Sequence, residues 1–143
     1  MQIQEIIRHL EAQGSWVDWD QTRDYILYGA KEREVNRVGV CWVATMQAIR
    51  QAVQQDIHFI ISHENPFYQA STAPKRLIRE STERKQALLE QGDITLYRSH
   101  DLWDKMPVYG VADQWAARLG FTFQREVNSY LQFAEVPPMT VEA

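Results

Sequence analysis

The sequence contains one cysteine, Cys41, among its 143 residues. A single cysteine cannot form an intrachain disulfide, which is typical of proteins in a reducing compartment. Because Cys41 lies in an apolar run, we expect it to be a small buried side chain. The chain does not open with a basic stretch followed by an apolar one, as a signal peptide would, and no apolar run approaches the length that spans a bilayer. These absences predict a cytoplasmic protein with no membrane segment.

Positive charge is also scarce, with 15 Lys and Arg residues against 19 Asp and Glu residues and a net charge of −4. Non-specific nucleic-acid binding depends on clustered Lys and Arg, so this balance disfavours nucleic acid as a partner. The sequence also lacks a Gly-rich phosphate loop, a Gly-x-Ser-x-Gly motif and a Cys-x-x-Cys pair. Common signatures of nucleotide-binding, serine-hydrolase and dithiol sites are therefore absent.

The chain does contain enough apolar material for a core, since 45% of its residues are hydrophobic, an ordinary fraction for a globular protein. Its length predicts a single domain over residues 1–143. Apolar residues at helical spacing predict four helices, at 3–13, after Thr45, after Pro74 and at 111–119. Apolar runs of strand type predict strands at 25–29, 38–43, 57–61 and 93–98, with a further strand beginning at Phe121.

The order of these elements predicts an α/β fold with a mostly parallel sheet and helices on both faces. Strand 38–43, the following helix and strand 57–61 form a βαβ pattern, which predicts parallel strands and a right-handed crossover. Strand 38–43 is apolar throughout, as in strands buried on both faces, whereas strand 25–29 is expected at an edge. Residues 140–143 resemble the first turn of another helix.

Two consecutive strands of this pattern lead into a histidine and a carboxylate. His63 and Glu64 follow strand 57–61, and His100 and Asp104 follow strand 93–98. Ligands and ions bind at the carboxyl ends of strands in open α/β sheets. Imidazole nitrogens and carboxylate oxygens are the donors expected for zinc, iron or manganese. The sequence therefore predicts a metal site built from these four residues.

The spacing of the four residues limits how they can share an ion. The side chains of adjacent residues diverge at a strand end. His63 and Glu64 therefore either bind two different ions, or one of them binds an ion and the other contacts a ligand without binding the ion. His100 and Asp104 lie on one face of a helical turn if Asp101 begins it, and a carboxylate can bridge two metals, as in many hydrolases. The alternative, that these residues only hydrogen-bond within an α/β core, stays open.

The other two histidines are expected to stay outside the site, His9 on an exposed helix face and His58 within a strand. A His100-Asp101 pair is also found in HD metallophosphohydrolases. Those proteins are all-helical, whereas this pair follows a strand, so we discount that class.

Six stretches carry a resemblance to a known family: Trp19-Asp20, Val38 to Ala52, Ile60 to Pro66, Tyr97 to Asp104, Gly110 to Asp113 and Leu119-Gly120. Tyr97 to Asp104 matches a Tyr-x-x-His-x-x-x-Asp motif, and Ile60 to Pro66 stands where that family has a His-His-Pro motif. In order and spacing, the six stretches resemble the NIF-three-like family, widely known as GTP cyclohydrolase 1 type 2 homologues. The resemblance covers nearly the whole chain.

The resemblance implies a two-metal centre with His63, His100 and Asp104 as ligands, and assembly as a ring-shaped hexamer. Glu64 stands where the family has a second His, although a His-Glu pair followed by two aromatics resembles one branch of the family. The family supplies two further ligands, a His and a Glu, from a C-terminal half, and we expect this chain to correspond to the N-terminal part. A longer chain, ligands from another subunit and weak metal binding are the open alternatives.

Two functions are consistent with these features. In the first, a hydrolase-like protein uses metal-activated water against a phosphoester, an amide or a nucleotide ring carbon, with Asp104 bridging and His63, Glu64 and His100 anchoring. The family name suggests GTP ring opening, but we identify no residue in the sequence that would recognise guanine. In the second, the protein is a non-enzymatic interaction or metal-handling adaptor with an incomplete site, since the family name records a protein-interaction origin.

Overall fold

The computed structural model of the protein describes residues 1–67, 74–120, 122–125 and 129–138. The helices are α1 (Ile3–Gln13), α2 (Met46–Gln54), α3 (Lys75–Gln91), α4 (Asp101–Asp104) and α5 (Val111–Leu119). The strands are β1 (Tyr25–Tyr28), β2 (Gly39–Val43), β3 (Phe59–Glu64), β4 (Thr95–Arg98), β5 (Gln124–Arg125) and β6 (Gln132–Phe133). None of the described helices combines the length and the apolar character needed to cross a bilayer.

Four of these strands form one sheet in the order β1-β4-β3-β2. Strand β3 runs parallel to both β2 and β4, while β1 pairs with β4 in the antiparallel direction. The mostly parallel sheet, the parallel βαβ unit and the edge position of β1 are therefore confirmed. Because β3 and β4 are parallel neighbours, the segments that follow them leave the sheet at the same edge.

Helices cover both faces of the sheet, as predicted. On one face α1 packs Ile3 and Ile7 against Phe59 of β3 and Tyr97 of β4. On the other face α2 and α3 form a larger apolar cluster with the sheet, made of Ala44, Ile49, Ala52, Ile60, Leu89, Ile94 and Leu96. Successive residues of a strand point to opposite faces, which is why β3 can serve both clusters.

Local signals in the sequence set several helix ends. The Thr45 hydroxyl accepts a hydrogen bond from the backbone N–H of Ala48 at 3.1 Å and caps α2, as predicted. Gly120 ends α5 with a φ of 75°, a left-handed conformation that glycine adopts without strain. Gly14 follows α1, and a Cβ atom there would lie 2.7 Å from both Leu102 and Trp19. The absence of a side chain at Gly14 thus allows α4 to approach the end of α1.

Strand β2 is not buried on both faces, and that prediction was wrong. It lies at an edge of the sheet, where Val40 and Trp42 are 78% and 59% exposed while the residues between and beside them are partly buried. An apolar run of this kind does not distinguish a central strand from an edge strand. The consequence is that an aromatic side chain of β2 is free to face the carboxyl edge of the sheet.

The C-terminal part forms a separate two-stranded antiparallel ribbon of β5 and β6. An ion pair between Arg125 and Asp113, with 2.6 Å between Nη1 and Oδ1, connects this ribbon to α5. The strand expected from Phe121 begins at Gln124, and Phe121 itself lies outside the described residues, as does the helical turn expected at 140–143.

Candidate metal centre

The predicted ligands come together because two parallel strands end side by side. His63 is the last but one residue of β3, and His100 follows β4 as the N-cap of α4. Asp104 ends the short helix, one turn after His100. The predicted helical turn beginning at Asp101 is therefore present, and it directs His100 and Asp104 to the same side.

A buried carboxylate from a distant part of the chain holds this turn in place. Asp24 accepts hydrogen bonds from the backbone N–H groups of His100, Asp101 and Leu102, the last two at 2.9 and 2.7 Å. These groups have no partner within the helix, and an acidic side chain is the usual one to satisfy them. Sequence reasoning missed Asp24 because it lies 76 residues before His100 and belongs to no local motif.

The ligand atoms of His63, His100 and Asp104 all lie within 4.8 Å of one another. Nε2 of His63 is 2.9 Å from Oδ1 of Asp104, and Nε2 of His100 is 3.5 Å from Oδ2. Each oxygen of the carboxylate therefore faces a different imidazole. Both histidines are buried, so the cluster presents two imidazole nitrogens and a carboxylate largely away from solvent.

Glu64, the fourth predicted ligand, lies outside this group of three. Its carboxylate pairs with Nη2 of Arg98 at 3.3 Å, and its side chain is 42% exposed. Its Oε1 atom is 3.8 Å from Nδ1 of His63, on the opposite side of the ring from Asp104. His58 is engaged elsewhere, at 2.8 Å from the carbonyl of Gly92.

Aromatic rings stack on the two histidines. The Trp42 ring lies 4.0 Å from the His63 ring at an interplanar angle of 14°, and His63 lies 4.6 Å from His100 at 27°. Tyr130 meets the far side of His100 edge-on, with 6.0 Å between centroids. This column fixes the planes of both imidazoles, and no spacing pattern in the sequence indicates that Trp42 or Tyr130 belongs to it.

A second carboxylate, Asp101, lies behind His100 and is almost fully buried. Its Oδ1 is 3.0 Å from Nδ1 of His100 and accepts a hydrogen bond from the Tyr130 hydroxyl, while its Oδ2 accepts one from Nζ of Lys105 at 3.2 Å. Burial alone would raise the pKa of Asp101. The hydrogen bonds from Tyr130, Lys105 and His100, with the charge of Lys105, outweigh it and hold the pKa below its usual range.

An open groove of about 450 Å³ runs along one side of the cluster. Val40, Trp42, Ile61 and Trp103 form its mainly apolar walls, and His63 lies at its edge. Cys41 also borders the groove and is only partly buried. Even this partial burial removes water from the Cys41 thiol and raises its pKa, although a hydrogen bond with Ser62 partly opposes the rise.

The donor set fits a divalent metal ion. Two imidazole nitrogens and one carboxylate form the mixed nitrogen and oxygen ligand set that zinc, iron and manganese accept. In the described part of the chain, the hydrogen bond of the His63 ring is the one between Nε2 and Oδ1 of Asp104. The other ring nitrogen of His63, Nδ1, is buried and has no hydrogen-bond partner among the described residues.

The fold and the cluster define an α/β protein with a candidate metal centre at the carboxyl edge of a mostly parallel sheet. The chain belongs to the Duf34/NIF3 (NGG1p interacting factor 3) family, whose model matches residues 1–140. The resemblance found in the sequence is thereby confirmed. A comparison with functionally curated proteins finds no match.

Several solved structures share the fold. A Bacillus cereus protein related to NIF3 is 21% identical, with a TM-score of 0.65, over 85% of this chain and 33% of that one. Reduced HcgD from Methanocaldococcus jannaschii is 19% identical, with a TM-score of 0.63, over 85% and 48%. The Staphylococcus aureus hypothetical protein SA1388 is 25% identical, with a TM-score of 0.60, over 85% and 40%. The chain thus spans one third to about one half of the length of these proteins.

Proposed function

We propose that this protein binds divalent metal ions at the cluster of His63, His100 and Asp104 and supports hydrolase-like chemistry there. The observation that carries the proposal is the position of Asp104 between two imidazoles, with one oxygen toward each. Such a carboxylate is suited to bridge two ions, each anchored by one histidine, as in dinuclear hydrolase sites. The ligand role predicted for Glu64 stays a prediction, since its carboxylate now pairs with Arg98.

The surrounding residues define what such a site could act on. A divalent ion held there supplies Lewis acidity toward an oxygen atom of a substrate or of water. The groove beside His63, with Trp42, Val40 and Trp103 in its walls, would offer apolar contact to part of a small molecule. A phosphoester, an amide and a nucleotide ring remain the substrate classes, and we propose a cytoplasmic location and a homo-oligomer, hexameric by resemblance.

The second candidate is a non-enzymatic adaptor or metal-handling protein. It is favoured by the small number of donors: the group found among the described residues has three ligand atoms, and two ions in catalytic sites take more than three protein ligands between them. It is also favoured by the protein-interaction origin that the name of the family records. In this function the cluster holds an ion without completing a reactive centre.

Metal analysis of the purified protein separates these functions from a purely structural role. We expect transition metal at a stoichiometric level in the wild type, and its loss in His63→Ala and Asp104→Ala. His9→Ala, on the exposed face of α1, is the matched control and retains the metal. A wild type that holds no transition metal after supplementation would exclude the hydrolase and a metal-handling role, and would leave the interaction adaptor.

Activity screening then distinguishes the two candidates. Phosphoester and nucleotide hydrolysis by the metal-loaded protein, lost in Asp104→Ala and kept in His9→Ala, supports the hydrolase. Stoichiometric metal without hydrolysis across the screen supports the adaptor. Light scattering on the same samples measures the oligomeric state.

A further inference from the structure

The two histidines of the cluster have the same arrangement of partners. In each ring Nε2 faces Asp104, and Nδ1 faces the carboxylate of the next residue in the sequence. Nδ1 of His63 is 3.8 Å from Oε1 of Glu64, and Nδ1 of His100 is 3.0 Å from Oδ1 of Asp101. In each His-acid pair the acid therefore lies at the ring nitrogen that faces away from Asp104, so the histidine and its neighbouring acid do not point toward the same ion.

Each of these carboxylates is in turn held by a cation. Arg98 lies 3.3 Å from Glu64, and Lys105 lies 3.2 Å from Asp101, which also accepts a hydrogen bond from Tyr130. The acids are therefore directed away from the point where the three ligand atoms converge. Their position behind the rings corresponds to that of the carboxylates that orient histidine ligands in metal sites.

Stacking alone does not set which ring nitrogen meets the metal. The contacts with Trp42 and between the two histidines fix the ring planes. A rotation of 180° about the Cβ–Cγ bond, however, returns a ring to the same plane and so preserves the stacking. An acceptor at Nδ1 removes this ambiguity, because it favours the tautomer with the proton on Nδ1 and the lone pair on Nε2. Asp101 is already at hydrogen-bonding distance of His100.

Glu64 needs only a small movement to do the same for His63. Nδ1 of His63 is a buried polar atom without a partner among the described residues, and buried donors are rarely left in that state. The Glu64 side chain is 42% exposed, so it has room to rotate. Closing the gap of 3.8 Å to about 3 Å would complete the hydrogen bond.

We infer that Glu64 and Asp101 are positioning residues that orient His63 and His100, and that neither is itself a metal ligand. This inference rests on the proposed metal binding. For Glu64 it replaces the ligand role expected from its place in the sequence. For Asp101 it gives a function beyond the buried ion pair that this side chain forms with Lys105.

Zinc titration of the full chain against a competing chelator tests the inference at Glu64. Glu64→Ala is expected to weaken zinc affinity by about 10–100-fold, as loss of such orienting groups does, with the number of bound ions unchanged. Glu64→Gln keeps an acceptor oxygen and is expected to recover most of the affinity. Glu80→Gln, a similarly exposed acid that pairs with Arg76 on α3, is the control and leaves the affinity unchanged.

At Asp101 a second variant separates orientation from folding. Asp101→Ala leaves Lys105 buried without its partner and is expected to destabilise the protein as well as weaken zinc binding. Asp101→Ala with Lys105→Met removes the unpaired cation and is expected to restore the thermal midpoint while zinc affinity stays about 10–100-fold low. Recovery of affinity together with stability would overturn the positioning role of Asp101.

Long-range ¹⁵N–¹H spectra of the zinc-loaded protein give a readout that a structural role would not move. We expect both histidines in the wild type to carry their proton on Nδ1, and His63 of Glu64→Ala to show a mixture of tautomers. A lower zinc stoichiometry in Glu64→Ala that Gln does not rescue would make Glu64 a ligand and overturn the inference there. Wild type that binds neither zinc nor, in the same titration, iron or manganese defeats the proposed function itself, whereas variants that bind like wild type defeat only this inference.

Discussion

The two His-acid pairs of the cluster differ in how the protein supports them. His63 lies inside β3, whose backbone pairs with strands on both sides, while its neighbour Glu64 has a side chain that is 42% exposed. His100 lies outside the sheet, and its neighbour Asp101 has a side chain only 3% exposed. The first pair relies on backbone pairing, and the second relies on buried side-chain charges. The first should therefore tolerate substitution of its acid, whereas the second should not.

The largest expected effect is on stability at Asp101. Removing this carboxylate in Asp101→Ala leaves the Lys105 ammonium buried and unpaired, which typically costs about 3–5 kcal/mol. Chemical denaturation should show this loss, and the added change Lys105→Met should recover most of it. An Asp101→Ala protein as stable as wild type would mean that the Lys105 side chain moves into solvent. The two His-acid pairs would then not differ in their dependence on buried charges.

Asp24→Ala should have the next largest effect, because three backbone N–H groups lose their acceptor. An unsatisfied buried donor costs about 1–3 kcal/mol, and the displaced turn should also weaken metal binding at His100 and Asp104. Denaturation and zinc titration measure the two effects. Asp20→Ala, an exposed acid in the same loop, serves as control and should stay within about 0.5 kcal/mol of wild type.

Trp42→Ala tests the stacking that supports the His63 pair. Aromatic pairs of this geometry contribute about 1 kcal/mol beyond the area they bury, so we expect a loss of that order in the free energy of unfolding. Trp115→Ala, which removes an indole exposed on α5, should have a smaller effect. Equal losses in the two variants would show that the contact between Trp42 and His63 adds nothing.

Glu64→Gln should change stability least among these acids. Its ion pair with Arg98 is partly exposed, and such pairs contribute less than about 1 kcal/mol. Measured beside Asp101→Ala by the same denaturation, it gives the contrast between the two pairs directly. A loss as large as that of Asp101→Ala would place Glu64 in a buried network like that of its counterpart.

The smallest effect concerns Cys41, which borders the groove beside His63. Because desolvation raises the pKa of its thiol above the ordinary value of 9.0, the reactive thiolate is scarcer in the folded protein than in an unfolded one at pH 8–9. Alkylation by iodoacetamide should therefore be slower in the native state, and its rate should rise at higher pH than in denaturant. Equal rates in both states would show that the groove leaves the thiol fully hydrated.

Much of this arrangement follows from local sequence signals. The apolar runs of β3 and β4 end abruptly at polar residues, and parallel neighbours bring those ends together, so the grouping of His63, His100 and Asp104 was predictable. The edge position of β2 was not, because an apolar run carries no information about how many neighbours a strand has. Asp24 and Tyr130 contact the centre from 76 and 29 residues away, and no short motif connects such positions.

The stacking of Trp42 on His63 also has an optical consequence. An indole in van der Waals contact with the His63 ring would be close enough for an ion bound at the proposed centre to alter its excited state. Iron or manganese, with unpaired electrons, would shorten the fluorescence lifetime of this tryptophan, whereas zinc, with a closed shell, would not. The exposed edge strand would therefore carry a spectroscopic reporter of the metal, if the candidate centre binds one as proposed.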